Sequence, residues 1–165
     1  MSVPAPDEPA RLTTEAISAY LKKRDVSFTT IEKENVPILR MLWGFDMGDA
    51  IVLISIHDDA FLIHGGNAIG VFSRLEITWV TENQYNDRRG EVLELLNARN
   101  RARAFSRSMD EEGNVWLEYV GLYQTYSEFP EHVFDLLFDG VLQHFEDDYA
   151  ALEGYEAQDD SDTGA

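Results

Sequence analysis

The stretch LLNARNRARAF, from Leu95 to Phe105, joins a leucine-rich helical pattern to an aromatic strand. Arg99, Arg101 and Arg103 follow the leucines, and positive charge at a helix C-terminus complements the exposed carbonyl groups there. Asn100 can adopt the left-handed conformation that ends a helix. The stretch therefore predicts a helix-to-strand junction, and this junction is the feature that indicates the fold.

Other arginines near the junction have less obvious partners. Arg107 shares one face of the next strand with Arg103, from which both can pair with acidic residues of the last helix. Arg88 and Arg89 lie near a helix start, where positive charge is disfavoured, so they either answer acidic neighbours or face a ligand. A nucleic-acid site needs a positive field, whereas this chain has a net charge of −18. We therefore predict no nucleic-acid binding.

Outside the junction, hydrophobic periodicity predicts further helices and an antiparallel sheet. Thr13 is a candidate N-cap, and Gly113 in DEEGN indicates a hairpin turn. Asp58 and Asp59 are predicted to close a central strand. Predicted helices span about 14–24, 86–100 and 128–153, and predicted strands lie near 26–33, 37–45, 50–56, 61–66, 70–80, 104–109 and 115–122.

The order of these elements indicates an α+β fold. It reads α-β-β-β(-β)-α-β-β-α, in which amphipathic helices cover the apolar face of an antiparallel sheet. Ser127 is the predicted N-cap of the last helix, which places Pro130 in its first turn, where the missing N–H costs nothing. One domain is expected over residues 13–153, between a disordered N-terminal arm, 1–12, and an acidic disordered tail, 154–165.

Composition bounds the class of protein. The chain of 165 residues is 44% hydrophobic, which is typical of a folded globular domain. It contains no cysteine, which excludes disulfides, thiolate metal sites and thiol nucleophiles. No signal-peptide pattern is present, and no apolar run approaches the ~20 residues of a membrane span. We predict a cytoplasmic protein that does not bind membranes.

The segment RRGEVLELLNARNRARAFSRSMDEEGNVWLEYVGLY, Arg88 to Tyr123, resembles the YbjN family, also labelled bacterial sensory transduction regulators. The shared pattern is a helix ending in LLN, a short aromatic strand, an acidic turn with glycine, and a second strand. The resemblance implies a type III secretion chaperone-like fold, often paired as a homodimer. In those chaperones the fold holds non-globular segments of other proteins, so the resemblance implies binding rather than turnover.

Residues capable of chemistry do not form a recognisable motif. The run His57–Asp59 offers nitrogen and oxygen donors for a metal ion, but three consecutive residues at a strand end cannot all face one ion. We therefore predict a turn there. His144 and Asp148 are four apart on a helix and predict a surface ion pair. GGNAIG lacks the following lysine of a phosphate-binding loop. We predict no catalytic residue, no metal and no cofactor, although a carboxylate dyad has no sequence signature and leaves an enzyme open.

The aromatic last helix is the strongest functional lead. It carries two overlapping apolar stripes, of which one can seal the sheet and the other either belongs to a wide core face or forms a partner surface. The candidate partner-binding residues are Phe134, Phe138, Val141, Phe145, Tyr149, Arg88 and Arg89. The sequence thus predicts a non-enzymatic domain that binds a basic or amphipathic protein or peptide. The alternative is a regulatory domain that senses a small ligand.

Overall fold

The structure is a computed structural model that describes residues 11–46, 48–62, 68–82, 84–102, 105–124 and 128–154. For residues 58–62, 68–72, 102 and 124 it describes only the backbone. The predicted arm at 1–10, the tail at 155–165, Arg103 and Ser127 lie outside the described residues.

Within these residues the chain forms three α-helices and one antiparallel sheet. The helices are α1 (Thr14–Lys23), α2 (Arg89–Ala102) and α3 (Glu131–Leu152), and a short 3₁₀ helix (Asn86–Arg88) precedes α2. The strands are β1 (Thr29–Lys33), β2 (Val36–Phe45), β3 (Gly48–Leu62), β4 (Ala68–Thr81), β5 (Ser106–Met109) and β6 (Val115–Gln124).

The fold class is confirmed. The described chain runs α-β-β-β-β-α-β-β-α, and its strands are ordered β1-β2-β3-β4-β6-β5 in one sheet. Thr13 is the N-cap of α1, since its side chain accepts a hydrogen bond from the Ala16 N–H at 3.1 Å. Gly113 has a φ of 91°, which the predicted hairpin turn requires.

One predicted strand boundary is wrong. β3 continues through Asp58 and Asp59, which pair with Ser73 and Phe72 of β4. The hairpin formed by β3 and β4 supplies a backbone partner for each of these residues, and this outweighs the low strand propensity of two aspartates. The separate strand predicted near 61–66 is therefore the end of β3 as far as Leu62, and its remainder lies outside the described residues.

The start of the last helix also differs from the prediction. α3 begins at Glu131, and the extended Pro130 is its N-cap rather than part of its first turn. Glu128 pairs in an isolated β-bridge with Arg11, which keeps the chain before Pro130 out of the helix. Leu12, which the prediction assigns to the arm, is buried and belongs to the hydrophobic core.

The core lies between the three helices and one face of the sheet. Trp79 of β4 is fully buried and stacks on Phe145 of α3, with ring centroids 5.9 Å apart. Trp43 of β2 meets Phe138 of α3 edge to face. Each large apolar side chain buried in this way contributes about 1.5–3 kcal/mol. The helices therefore occupy one side of the sheet, and the described residues place no helix on the other side.

Candidate functional site

The predicted partner surface on α3 is part of the core. Its five candidates are each no more than 4% exposed: Phe134, Phe138, Val141, Phe145 and Tyr149. They pack against the sheet and α1, so they are not accessible to a partner in this structure. The wide apolar face of α3 is thus explained by the need to cover a broad sheet.

Arg88 and Arg89 make structural contacts. The Arg88 Nη2 donates to the backbone carbonyl of Leu152 at 2.8 Å, at the end of α3, and its guanidinium lies 5.4 Å from the centre of the Tyr85 ring. The Arg89 Nη1 donates to the Asn86 Oδ1 at 3.3 Å. Arg88 thus ties the start of α2 to the end of α3, where a cation complements the exposed carbonyls.

Two further arginines share one buried carboxylate. Asp148 of α3 is 1% exposed, and its Oδ2 lies 2.7 Å from the Arg107 Nε. Its Oδ1 accepts from the Arg99 Nε. The predicted pairing of Arg107 with the last helix is confirmed, and Arg99, which the sequence assigns to the helix carbonyls, is buried against Asp148 as well. The predicted surface ion pair between Asp148 and His144 is wrong, because a buried carboxylate needs closer charge compensation.

Asn100 does not end its helix. α2 continues to Ala102, and Asn100 is not among the residues with positive φ. Its Nδ2 donates to the Arg107 carbonyl at 3.0 Å, and its Oδ1 accepts from the Arg107 N–H at 2.9 Å. The Asn100 amide therefore occupies the backbone groups of β5 that a neighbouring strand would otherwise take. This edge of the sheet is closed at Arg107.

The opposite edge of the sheet is open. All five residues of β1 are exposed, and Ile31 is 43% exposed. In the part of the chain that the structure describes, β1 pairs only with β2, and its outward N–H and carbonyl groups make no hydrogen bond. Sequence reasoning missed this edge because a short strand between turns looks the same at an edge as in the middle of a sheet.

A groove lies on the helix side of this open edge. We call it the edge groove; it has a volume of about 360 Å³ between α1 and the β1–β2 pair. It is lined by Thr14, Glu15, Ser18, Ala19, Lys22, Thr30 and Pro37. Most of these side chains are small or polar, so the edge groove leaves space beside β1.

A second concavity lies on the helix-free face. We call it the face groove, with a volume of about 340 Å³. The β1–β2 hairpin contributes Lys33, Glu34, Val36 and Ile38, the central strands contribute Leu53, Ser55, His57, Glu76 and Thr78, and β6 contributes Trp116 and Glu118. Because both the hairpin and β6 line it, this face is concave. The sequence contains a signal for this partly apolar face, because the strands PILRMLWGF and AIVLISI carry apolar residues on both of their sides.

Three polar side chains meet in the face groove without forming a catalytic triad. The His57 Nε2 lies 3.0 Å from the Ser55 Oγ and 3.3 Å from the Glu76 Oε2. A triad uses one ring nitrogen for the nucleophile and the other for the acid, whereas here one nitrogen meets both. Glu76 also pairs with Arg74 at 3.0 Å. His57 lies within β3 opposite Arg74, so the predicted turn at His57–Asp59 is wrong.

Neither a metal centre nor a membrane-spanning helix is found among the residues described. No group of three or more histidines and carboxylates there is placed to hold a metal ion. None of the described helices has the length and apolar character needed to cross a bilayer.

No known family model matches the chain, and no curated protein matches it. The resemblance to the YbjN family therefore stays a prediction.

Proposed function

We propose that the chain is a non-enzymatic domain that binds an extended segment of another polypeptide, which adds to the sheet beside β1. The observation that carries this proposal is the difference between the two sheet edges. Asn100 closes β5 at Arg107, whereas the outward groups of β1 have no partner among the described residues. An open edge offers main-chain hydrogen bonds to any extended segment.

The two grooves supply a place for the side chains of such a segment. Thr30 pairs with the core-facing Leu39 and lies on the α1 side, beside the edge groove. Ile31 pairs with Ile38 and lies on the helix-free side. Side chains alternate between the two faces of a strand, so an added strand presents every second residue to each side. The backbone contacts then provide affinity and the grooves provide selectivity.

Charge favours a basic partner. The chain carries a net charge of −18. Glu34 and Glu118 line the face groove, and neither forms an ion pair with any residue described here. A basic or amphipathic segment is therefore attracted to this face, while an acidic segment is repelled.

The sequence resemblance supports the same class of function. Proteins with the type III secretion chaperone-like fold hold non-globular segments, and an added strand is such a segment. We place the protein in the bacterial cytoplasm and expect the homodimer that the resemblance implies. Sedimentation of the purified chain measures the homodimer independently of partner binding.

The direct test is hydrogen exchange of the β1 amides in the full chain. The probe is a capped nonapeptide in which valine alternates with threonine and arginine, with arginine near each end. We expect alternate amides of Thr29–Lys33 to exchange more slowly with the peptide bound, because they become donors to it. The Arg107 amide, already bonded to Asn100, serves as the internal reference. The same peptide with a central proline is expected to give no protection.

A matched pair of variants separates specific addition from adsorption. Ala19 is an exposed residue of α1 that lines the edge groove, and Ala98 is an exposed residue of α2. Ala19→Phe fills the edge groove and is expected to weaken peptide binding, whereas Ala98→Phe is expected to leave it unchanged. Protection of β1 that is absent, or that is equal for the proline peptide, contradicts the proposal.

A further inference from the structure

The β1–β2 hairpin determines which backbone groups of β1 point outward. Its two loop residues, Glu34 and Asn35, have φ angles of 53° and 65°, and two successive positive φ angles are typical of a type I′ turn. The residues that flank such a turn exchange both of their backbone hydrogen bonds, and bonded positions then alternate along the strand. Lys33, which pairs with β2 at the turn, therefore directs its N–H and carbonyl towards β2. The outward groups of β1 are those of Thr30 and Glu32.

One register lets a second copy of β1 use all of these outward groups. Each hydrogen-bonded position of an antiparallel pair needs outward groups on both strands. Thr30 placed opposite the partner's Glu32 satisfies this condition, and a two-fold axis repeats the pair, so that four main-chain hydrogen bonds form. A shift of one residue sets outward groups against inward ones. A shift of two residues sets Thr30 or Glu32 opposite its own copy and leaves one hydrogen-bonded pair within β1.

The side chains of this register also suit a second copy. Ile31 is 43% exposed and falls opposite the partner's Ile31, in a non-hydrogen-bonded position where side chains lie close together. The partner's Glu32 falls opposite Thr30 on the α1 side, at the edge groove that Thr30 and Lys22 both line. Neither Glu32 nor Lys22 forms an ion pair with any residue that the structure describes. These two charges are therefore available to compensate each other between the copies.

We infer that a second copy of this chain pairs with β1 in this register and so covers the edge that a client segment needs; the competition with a client rests on the proposed function. The net charge of −18 opposes self-association, and two five-residue strands bury less than the ~1,200 Å² of a standard interface. The dimer is therefore weak and strengthens when salt screens the repulsion. It protects the open edge until a client replaces the second copy.

Sedimentation of the full chain, from low micromolar to millimolar concentration and at low and physiological salt, measures the dimer. Residue-resolved amide exchange at the same concentrations locates the interface. We expect exchange at the Thr30 and Glu32 amides to slow as the dimer forms, because these amides become donors to the second copy. The Arg107 amide, which already donates to Asn100, is the reference and is expected to keep its exchange rate.

A charge reversal and its rescue test the register. Lys22→Glu and Glu32→Lys each set like charges across the interface, and the two-fold axis repeats the contact, so each variant is expected to weaken the dimer about fivefold. The double variant restores the pair and is expected to restore the dimer. Glu94→Lys makes the same change in net charge as Glu32→Lys at an exposed residue of α2, and it is expected not to weaken the dimer.

The arginine-containing nonapeptide tests the competition for the edge. We expect it to dissociate the dimer, because peptide and second copy use the same outward groups. At a total concentration about ten times the dimer dissociation constant, mass action leaves about one fifth of the chains monomeric. The apparent dissociation constant of the peptide is then expected to rise about fivefold.

Failure of this inference and failure of the proposed function give different results. A chain that stays monomeric throughout, or that dimerises without slower exchange at Thr30 and Glu32, overturns the inference and leaves client addition standing. A peptide that protects β1 without dissociating the dimer overturns the shared use of the edge. Protection of Thr30 and Glu32 that rises with protein concentration but not with peptide contradicts the proposed function and leaves the dimer interface standing.

Discussion

Replacing Asp148 by asparagine is expected to be among the most destabilising single changes in this chain. Asp148 is 1% exposed and accepts charge-assisted bonds from two guanidinium groups. Each such bond is worth about 1.5–3 kcal/mol, and an uncompensated buried charge costs about 3–5 kcal/mol. Asparagine removes the negative charge that Arg99 and Arg107 share in the core. We therefore expect the free energy of unfolding to fall by about 4 kcal/mol. This is a large part of the roughly 5–15 kcal/mol that is typical of a folded domain.

Urea unfolding, followed by far-ultraviolet circular dichroism and tryptophan emission, measures this loss. The control is Asp147→Asn, whose carboxylate makes a single exposed hydrogen bond, with Gln143, among the residues that the structure describes, and we expect it to cost under about 0.5 kcal/mol. A loss for Asp148→Asn within about 1 kcal/mol of this control would refute the reasoning.

The same reasoning predicts a rescue. If the cost comes from stranded charge, removing all three charged groups together must restore stability. The triple variant Arg99→Met, Arg107→Met and Asp148→Leu is expected to unfold at a urea concentration closer to the original chain than Asp148→Asn does. A triple variant less stable than the single one would show that the hydrogen bonds of Arg107 to the Phe105 and Arg99 carbonyls matter more than charge balance.

Three further outcomes test separate parts of the structure. Asn100→Ala removes two hydrogen bonds to Arg107, so it should lower stability by about 1–3 kcal/mol and speed hydrogen exchange at the Arg107 amide; unchanged exchange would contradict the edge closure. Phe138→Ala should cost about 3–5 kcal/mol in urea unfolding, whereas Leu136→Ala, at a side chain 73% exposed, should cost little; equal losses would place Phe138 outside the core. Burial raises the pKa of Tyr20 to about 12 from 10.0, so its contribution to stability is complete below pH 10 and is lost as the pH rises towards 12. Ultraviolet titration should show this late ionisation, and Tyr20→Phe should reduce its amplitude by one tyrosine, since burial also raises the pKa of Tyr123 and Tyr149.

Local patterns in the sequence were sufficient for the elements and their order. Thr13 and Gly113 each act within a few residues of their own position, so side-chain chemistry alone identified the cap and the turn. The period-two pattern of the sheet and the helical spacing of α1 and α3 are equally local signals. They determine the α+β order without any knowledge of distant contacts.

The partners of charged and aromatic residues depend on tertiary packing. Arg99 looked like a residue that caps helix carbonyls, yet its partner Asp148 is 49 positions away along the chain. Phe138 looked equally suited to a core or a partner surface, and the breadth of the sheet decided between them. The open edge at β1 was also inaccessible to sequence reasoning, because edge position depends on the order of strands in the whole sheet.

Asn100 has a consequence for assembly. A sheet with two open edges can add neighbours on both sides and grow into a fibre. In this chain a side-chain amide acts as a terminator on one side, so only the other side can serve as a template. Two copies joined through β1, or one copy joined to a client strand, would leave no second template in the same sheet. One edge of the sheet can thus stay open without the risk of open-ended polymerisation.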